Sequence, residues 1–172
     1  QSGVNYMSAL ARLEDSGASL HVVALSAPGR AALDDDARQR DMLLDRGVRV
    51  LALTSSPQSQ AVLQARGITP LLGNLDAPAS LRRLAGLAPY VLHLAPPPGH
   101  GPHDTRTRAL LQTLSQTSAP RALAYVSTTG VYGDRGGAEV DETTPPTPAQ
   151  SRSLRRLAAE LAWRDVTAGR AP

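Results

Sequence analysis

Tyr90-Val91-Leu92-His93-Leu94-Ala95, running directly into Pro96-Pro97-Pro98-Gly99, is a short aliphatic run stopped by a breaker cluster, and it reads as a strand with a stiff exit. On its C-terminal side, residues 104–116 are helical in character, with Leu110, Leu111 and Leu114 forming an apolar stripe. After Pro120, residues 122–127 (Ala-Leu-Ala-Tyr-Val-Ser) read as a buried central strand. A last helix over residues 151–163 places Leu154, Leu157, Ala158 and Leu161 on one face. On the N-terminal side the same beat recurs. Residues 79–84 form a short helix closed by Gly86, and Ile68-Thr69-Pro70-Leu71-Leu72 a strand that Pro70 confines to an edge or an irregular stretch. Residues 58–66 form a helix closed by Gly67, after the strand Val48–Leu53 with its polar exit Thr54-Ser55-Ser56. Asp34, Asp35 and Asp36 suit the start of a helix running towards Leu43 and Leu44. His21-Val22-Val23-Ala24-Leu25 is the first strand, ending at Ser26, Pro28 and Gly29.

Short aliphatic strands alternating with helices imply βαβ units, whose physical solution is a mainly parallel sheet covered on both faces. The expected fold is therefore α/β, a Rossmann-like three-layer αβα sandwich over residues 21–172, with residues 1–20 set apart as an N-terminal segment. Right-handed crossovers put the exits after Leu25, Leu53, Leu72, Ala95 and Ser127 along one rim, where ligands bind in such sheets. A flavodoxin-like binding domain would show the same rhythm.

The 172 residues suit one domain, and 41% hydrophobic residues suffice for a core. With no Phe and only 3% aromatic residues, that core is aliphatic. The absence of cysteine excludes disulfides and thiol catalysis and fits a reducing compartment. The net charge of +3 is carried by arginines spread without a dense run, so no nucleic-acid partner is expected. No apolar run reaches the roughly 18 residues of a membrane span, and residues 1–12 lack the pattern of a secretion signal, so the expectation is a cytoplasmic protein without a membrane partner. The start without Met and the ending Arg170-Ala171-Pro172 suggest a fragment lacking a C-terminal substrate-binding part.

Three stretches carry a more specific signal: Val91–Pro98, then Tyr125-Val126-Ser127-Thr128-Thr129-Gly130-Val131-Tyr132-Gly133-Asp134, then Val140-Asp141-Glu142-Thr143-Thr144-Pro145-Pro146. Taken in order, with Ala159-Glu160 on the following helix, they resemble the extended and atypical short-chain dehydrogenase/reductase family in its NAD(P)-dependent epimerase/dehydratase branch. The resemblance covers roughly residues 47–163. It implies that Thr128, just before the Val-Tyr-Gly turn, orients a substrate carbonyl or hydroxyl; the alternative is a hydroxyl that satisfies nearby backbone. Tyr132 belongs to the turn, with a role as surrogate acid as its alternative. The family's Tyr and Lys, four residues apart on a helix, correspond to Arg152 and Arg156. Arg156 would hydrogen-bond ribose or anchor phosphate. Arg152 cannot act as a proton donor in the useful range, although certain atypical members also carry Arg there.

The resemblance implies NADP or NAD as cofactor, with a glycine turn after Leu25. The residues at that place are Ser26-Ala27-Pro28-Gly29-Arg30, which leave Gly29 and Arg30 as phosphate contacts of an altered loop. Thr54 and Ser55 supply no carboxylate for ribose hydroxyls, which inclines the site to NADP. Asn74 and Leu75 correspond to the adenine contact, and Asn74 equally suits a turn. Ala95, Pro96 and Pro97 correspond to the cofactor floor, or simply end the strand. His100, His103 and Asp104 lack the ligand number of a metal cage, and Asp141-Glu142 reads as a loop-positioning pair. The expected function is that of an NAD(P)-dependent oxidoreductase or sugar-nucleotide epimerase/dehydratase-like protein acting on a carbon bearing oxygen, in a homodimer formed through residues 104–116 and 151–163. The alternative is a non-catalytic dinucleotide-sensing or protein-interaction domain.

Overall fold

The computed structural model describes residues 21–25, 44–45, 47–117 and 120–169. Within them, β1 (His21–Leu25), β2 (Arg49–Thr54), β3 (Thr69–Leu72), β4 (Tyr90–His93) and β5 (Ala122–Tyr125) form one parallel sheet in the order β3-β2-β1-β4-β5. Packed with it among the described residues are the α-helices α1 (Pro57–Ala65), α2 (Thr105–Leu114) and α3 (Ser151–Thr167), with 3-10 turns at Pro78–Leu84 and Thr129–Tyr132. The expected α/β sandwich is the observed one. Residues 1–20, Asp34, Asp35, Asp36, Gly29 and Arg30 lie outside the described residues.

Strand β2 shows why the sheet has two covered faces. Val50 and Ala52 join Val48, Leu63, Ile68 and Tyr90 in one cluster, while Leu51 and Leu53 join Leu81, Val91, Leu110, Leu111 and Leu114 in the other. Alternate residues of a strand point to opposite faces, so a continuous aliphatic run needs cover on both. In the turn Pro78–Leu84, Leu81 and Leu84 stand three residues apart and both are buried, which the three-residue period of a 3-10 helix allows. Pro70 pairs with Ala52 on the outermost strand β3, where its missing N–H disturbs no further ladder, as its sequence position predicts.

One expectation is corrected. Residues 122–127 are not a buried central strand: β5 stops at Tyr125, is the outer strand of the described sheet and is at most half-buried. An apolar run of small residues looks the same whether its second neighbour is present or not. On α3, the stripe of Leu154, Leu157, Ala158 and Leu161 is not the most buried face. Leu154 and Leu161 are 47% and 49% exposed, and α3 buries Ser153, Arg155, Arg156, Ala159 and Trp163 instead. The Trp163 ring stacks on Tyr125 at 6.0 Å, and Arg156 bonds the Val126 carbonyl; together they set the rotation of the helix against its aliphatic pattern.

The chain runs outward from β1 to β3 and returns to β4 on the other side of β1. Leu25 stands level with Leu53 on one side and with His93 on the other, and His93 is level with Tyr125. The strand exits thus lie along a common rim, with a switch of winding direction between β1 and β4, where a crevice opens in sheets of this kind.

Candidate functional site

Along the rim, the exits of neighbouring strands are tied to each other. The Thr54 carbonyl accepts from the Gly73 amide at 2.9 Å. A Cβ on Gly73 would lie 2.9 Å from Leu53 Cδ1 and 3.1 Å from the Ser80 carbonyl, so any larger residue would have to push its neighbours aside here. Thr54 Oγ1 accepts from the Ser56 amide, and Ser55 follows half-buried. Asn74 Oδ1 accepts from the Asp76 amide at 2.9 Å, and the Asn74 amide donates to Ser80 Oγ. Asn74 therefore holds the turn, half-buried at the third exit. Leu75 beside it is buried.

Arg106, in the first turn of α2, links the third and fourth exits. It donates Nε and Nη2 to the two Asp76 oxygens, each at 2.7 Å, and Nη1 to the Pro96 carbonyl at 3.2 Å. This fork holds the Asp76 carboxyl below its ordinary range. A cleft of about 550 Å³ opens beside the pair, lined among others by Leu75, Pro98, His100 and Thr105. Ala95 and Pro97 are buried at this exit and Pro96 is half-buried. Because the Asp76 side of the pair is exposed to water, Arg106→Ala is expected to lower stability by no more than about 1 kcal/mol, measured by urea unfolding.

At the fifth exit, Thr128 is extended and caps the turn Thr129–Tyr132, its Oγ accepting from the Gly130 amide at 3.3 Å. The Thr128 oxygen thus serves backbone, and its proton meets no acceptor among the described residues. Tyr132 is half-buried, and its carbonyl accepts from Arg135 Nε and from Thr147 Oγ1. Ser153 of α3 lies against Gly130, where a Cβ would come within 2.7 Å of its hydroxyl. Further along, Asp141 Oδ1 accepts from the amides and hydroxyls of Thr143 and Thr144, which holds its carboxyl low. Asp141 is a loop organiser here.

Arg156 and Arg152, expected on one helical face, sit in different surroundings. Arg156 is buried and donates Nη1 to Val126 O at 2.7 Å and to the Tyr125 hydroxyl at 3.1 Å, its guanidinium 5.5 Å from that ring's centre. Arg152 is exposed in the first turn of the helix. Three residues not singled out from sequence join the site. Tyr125 packs against both His93 and Trp163, which also meet each other, and burial pushes its hydroxyl up despite the adjacent cation. His93 has no exposed surface and pairs through Nε2 with Thr107 Oγ1 at 2.8 Å, which in turn donates to Asp104 Oδ2 at 2.8 Å. Thr107 has one hydroxyl proton, so His93 Nε2 carries the other, and His93 Nδ1 keeps a lone pair with no partner. Burial first, and then the Arg156 charge, depress the imidazole to about 3. Arg155 reaches the Gly101 carbonyl at 2.9 Å. A polar side chain inside an aliphatic strand was the available signal for His93; nothing local marked Arg155.

A doubly wound parallel sheet in this order, with a stiffened fourth exit and a capped turn at the fifth, defines a Rossmann-type domain. No protein-family model and no curated protein matches the chain. Solved structures do. A conserved protein of unknown function from Silicibacter pomeroyi is 29% identical, with a TM-score of 0.63 over 85% of this chain and 48% of that one. A Burkholderia cenocepacia protein provisionally assigned as an epimerase is 25% identical, with a TM-score of 0.66 over 90% and 53%. UDP-N-acetylglucosamine 4-epimerase from Bacillus cereus shares the fold at 16% identity, with a TM-score of 0.66 over 89% and 55%. The structural likeness points to the fold of the NAD(P)-dependent epimerase/dehydratase superfamily. The chain spans about half the length of these structures.

Proposed function

We propose that the chain is the nucleotide-binding half of an NAD(P)-dependent oxidoreductase or epimerase/dehydratase-like protein. The observation that carries this reading is the docking of Arg156 onto the exit of β5, two residues before Thr128, in a sheet of order β3-β2-β1-β4-β5. The residues present fit a dinucleotide: a glycine-permitted close approach at Gly73, a small buried residue at Ala95 and a buried, unpartnered hydroxyl at Ser127. Thr54 and Ser55 would line the ribose, Asn74 and Leu75 the adenine, and Ala95, Pro96 and Pro97 the floor; Gly29 and Arg30 are assigned to phosphate.

When bound, a nicotinamide nucleotide supplies or accepts hydride at a substrate carbon bearing oxygen. Thr128 donates its free hydroxyl proton to that oxygen and orients it. Arg156 holds positive charge beside the site without releasing a proton. Tyr132, whose hydroxyl has no hydrogen-bond partner among the described residues, or a water, carries the proton to and from the oxygen. Calorimetric titration with NADPH and NADH tests the reading: saturable binding, tighter for NADPH because the second exit has no carboxylate, is expected. No binding of either by a folded sample overturns it. The second reading, dinucleotide sensing without turnover, is favoured by the exposed Arg152 at the position of the family's acid. Binding without hydride transfer to any carbonyl substrate would select it.

The outward stripe of α3 fits the homodimer expected from sequence. Leu154→Glu combined with Leu161→Glu is expected to turn a dimer into a monomer by light scattering, with little loss of stability because both side chains are half exposed.

A further inference from the structure

Arg155 and Arg156 follow one another on α3, and each exposes only 7% of its surface. Neither has a carboxylate partner among the described residues. Arg155 gives one N–H to the Gly101 carbonyl, and Arg156 gives Nη1 to Val126 O and the Tyr125 hydroxyl. The Nε of each is buried with no acceptor. A guanidinium carries five N–H donors and does not deprotonate, and a buried cation costs several kcal/mol unless a counter-charge offsets it. Asp104 and Glu160 act on the neighbouring Tyr125 hydroxyl only through their field; among the described residues Asp104 accepts from the Thr107 amide and hydroxyl, and neither acid forms an ion pair with Arg155 or Arg156. Ser127, two residues beyond Tyr125, adds a buried hydroxyl without a partner at the same exit.

We propose that Arg155 and Arg156 form a binding site for an anionic group, a carboxylate or a phosphate, of the substrate. This rests on the nucleotide-binding reading and deepens it by naming the substrate class. The planar fork of arginine suits both groups, since each offers two acceptors in one plane. The anion is not the cofactor's own. Dinucleotide phosphates in such sheets lie at the exit of the first strand, whereas these arginines reach β5 and the loop after β4, on the far side of β4 from β1.

Trp163, the chain's single tryptophan, stacks on the tyrosine that Arg156 bonds, and so reports on the site. The chain, with and without saturating NADPH, is titrated with sodium malonate and with sodium phosphate, using sodium chloride of equal ionic strength as control. NADPH binding is measured separately by calorimetry. A saturable change in tryptophan fluorescence with malonate or phosphate, retained with NADPH bound, is expected; the anion that saturates first identifies the group. Arg155→Gln should weaken it about tenfold or more, and Arg155→Lys, which keeps the charge but not the fork, less. If Arg155→Gln does not fold, the rise of the wild-type unfolding midpoint with malonate or phosphate over chloride decides instead. No anion effect beyond chloride, an effect unchanged in Arg155→Gln, or one abolished by NADPH overturns the proposal. NADPH binding without anion binding sinks this site alone, and anion binding without NADPH binding sinks the cofactor reading while the anion site stands.

Discussion

Acidification from pH 6.5 towards 3 is expected to remove up to roughly 4–5 kcal/mol of stability through His93 alone. The imidazole is neutral in the fold down to about 3, whereas in the unfolded chain it takes up a proton below 6.5. Between these values the unfolded state binds more protons, so stability falls as pH falls; above 6.5 the contribution is fully present. The cause is local. His93 has no exposed surface, its Nε2 proton is committed to Thr107, and its Nδ1 has no acceptor to meet a second proton. His93→Gln keeps a donor for Thr107 and removes the titration. Its stability should be lower than wild type at pH 7.5 and should approach or pass it near pH 4. Urea unfolding of both proteins across pH 4 to 7.5 measures this, and parallel curves would show that His93 is charged or solvated in the fold.

Gly133→Ala is expected to cost roughly 2–4 kcal/mol, combining backbone strain of ~1–3 kcal/mol with displacement of a neighbouring carbonyl. Gly133 has φ 72° and ψ −163°, a region essentially confined to glycine. A Cβ there would overlap the Thr147 carbonyl oxygen, and Thr147 cannot retreat without breaking its bonds to the Val131 and Tyr132 carbonyls. The same turn sets Thr128 and Tyr132, so dinucleotide or substrate affinity should fall with stability. Gly136→Ala is the comparison: it also has positive φ, but a Cβ there meets nothing within 4 Å. Equal losses for the two would mean that Thr147 does not pack on the turn as described.

Much of this molecule is legible in short windows of sequence. Val48–Leu53 needs no partner to declare itself an aliphatic run with a polar exit, and Pro70 announces an edge because its missing N–H is a property of one residue. Asp104 reads as the start of a helix, and its carboxylate does take the Thr107 amide. The Val-Tyr-Gly turn pointed to the exit of β5, where Thr128 and Arg156 stand two residues and one hydrogen bond apart from Val126. The face of α3 was not legible. Its leucines form the better apolar stripe, yet Trp163, Arg156 and Ser153 go inward.

The amino-acid order alone determines the strands, their exits and the parallel winding, since these follow from side-chain alternation and from breakers acting over a few residues. Tertiary structure decided that β5 is an outer strand of the described sheet, that α3 turns Leu154 and Leu161 outward, and that His93, Tyr125 and Trp163 form one packed group. Each of these depends on contacts between residues 30 or more positions apart, whose combined burial and hydrogen bonding outweigh any local pattern.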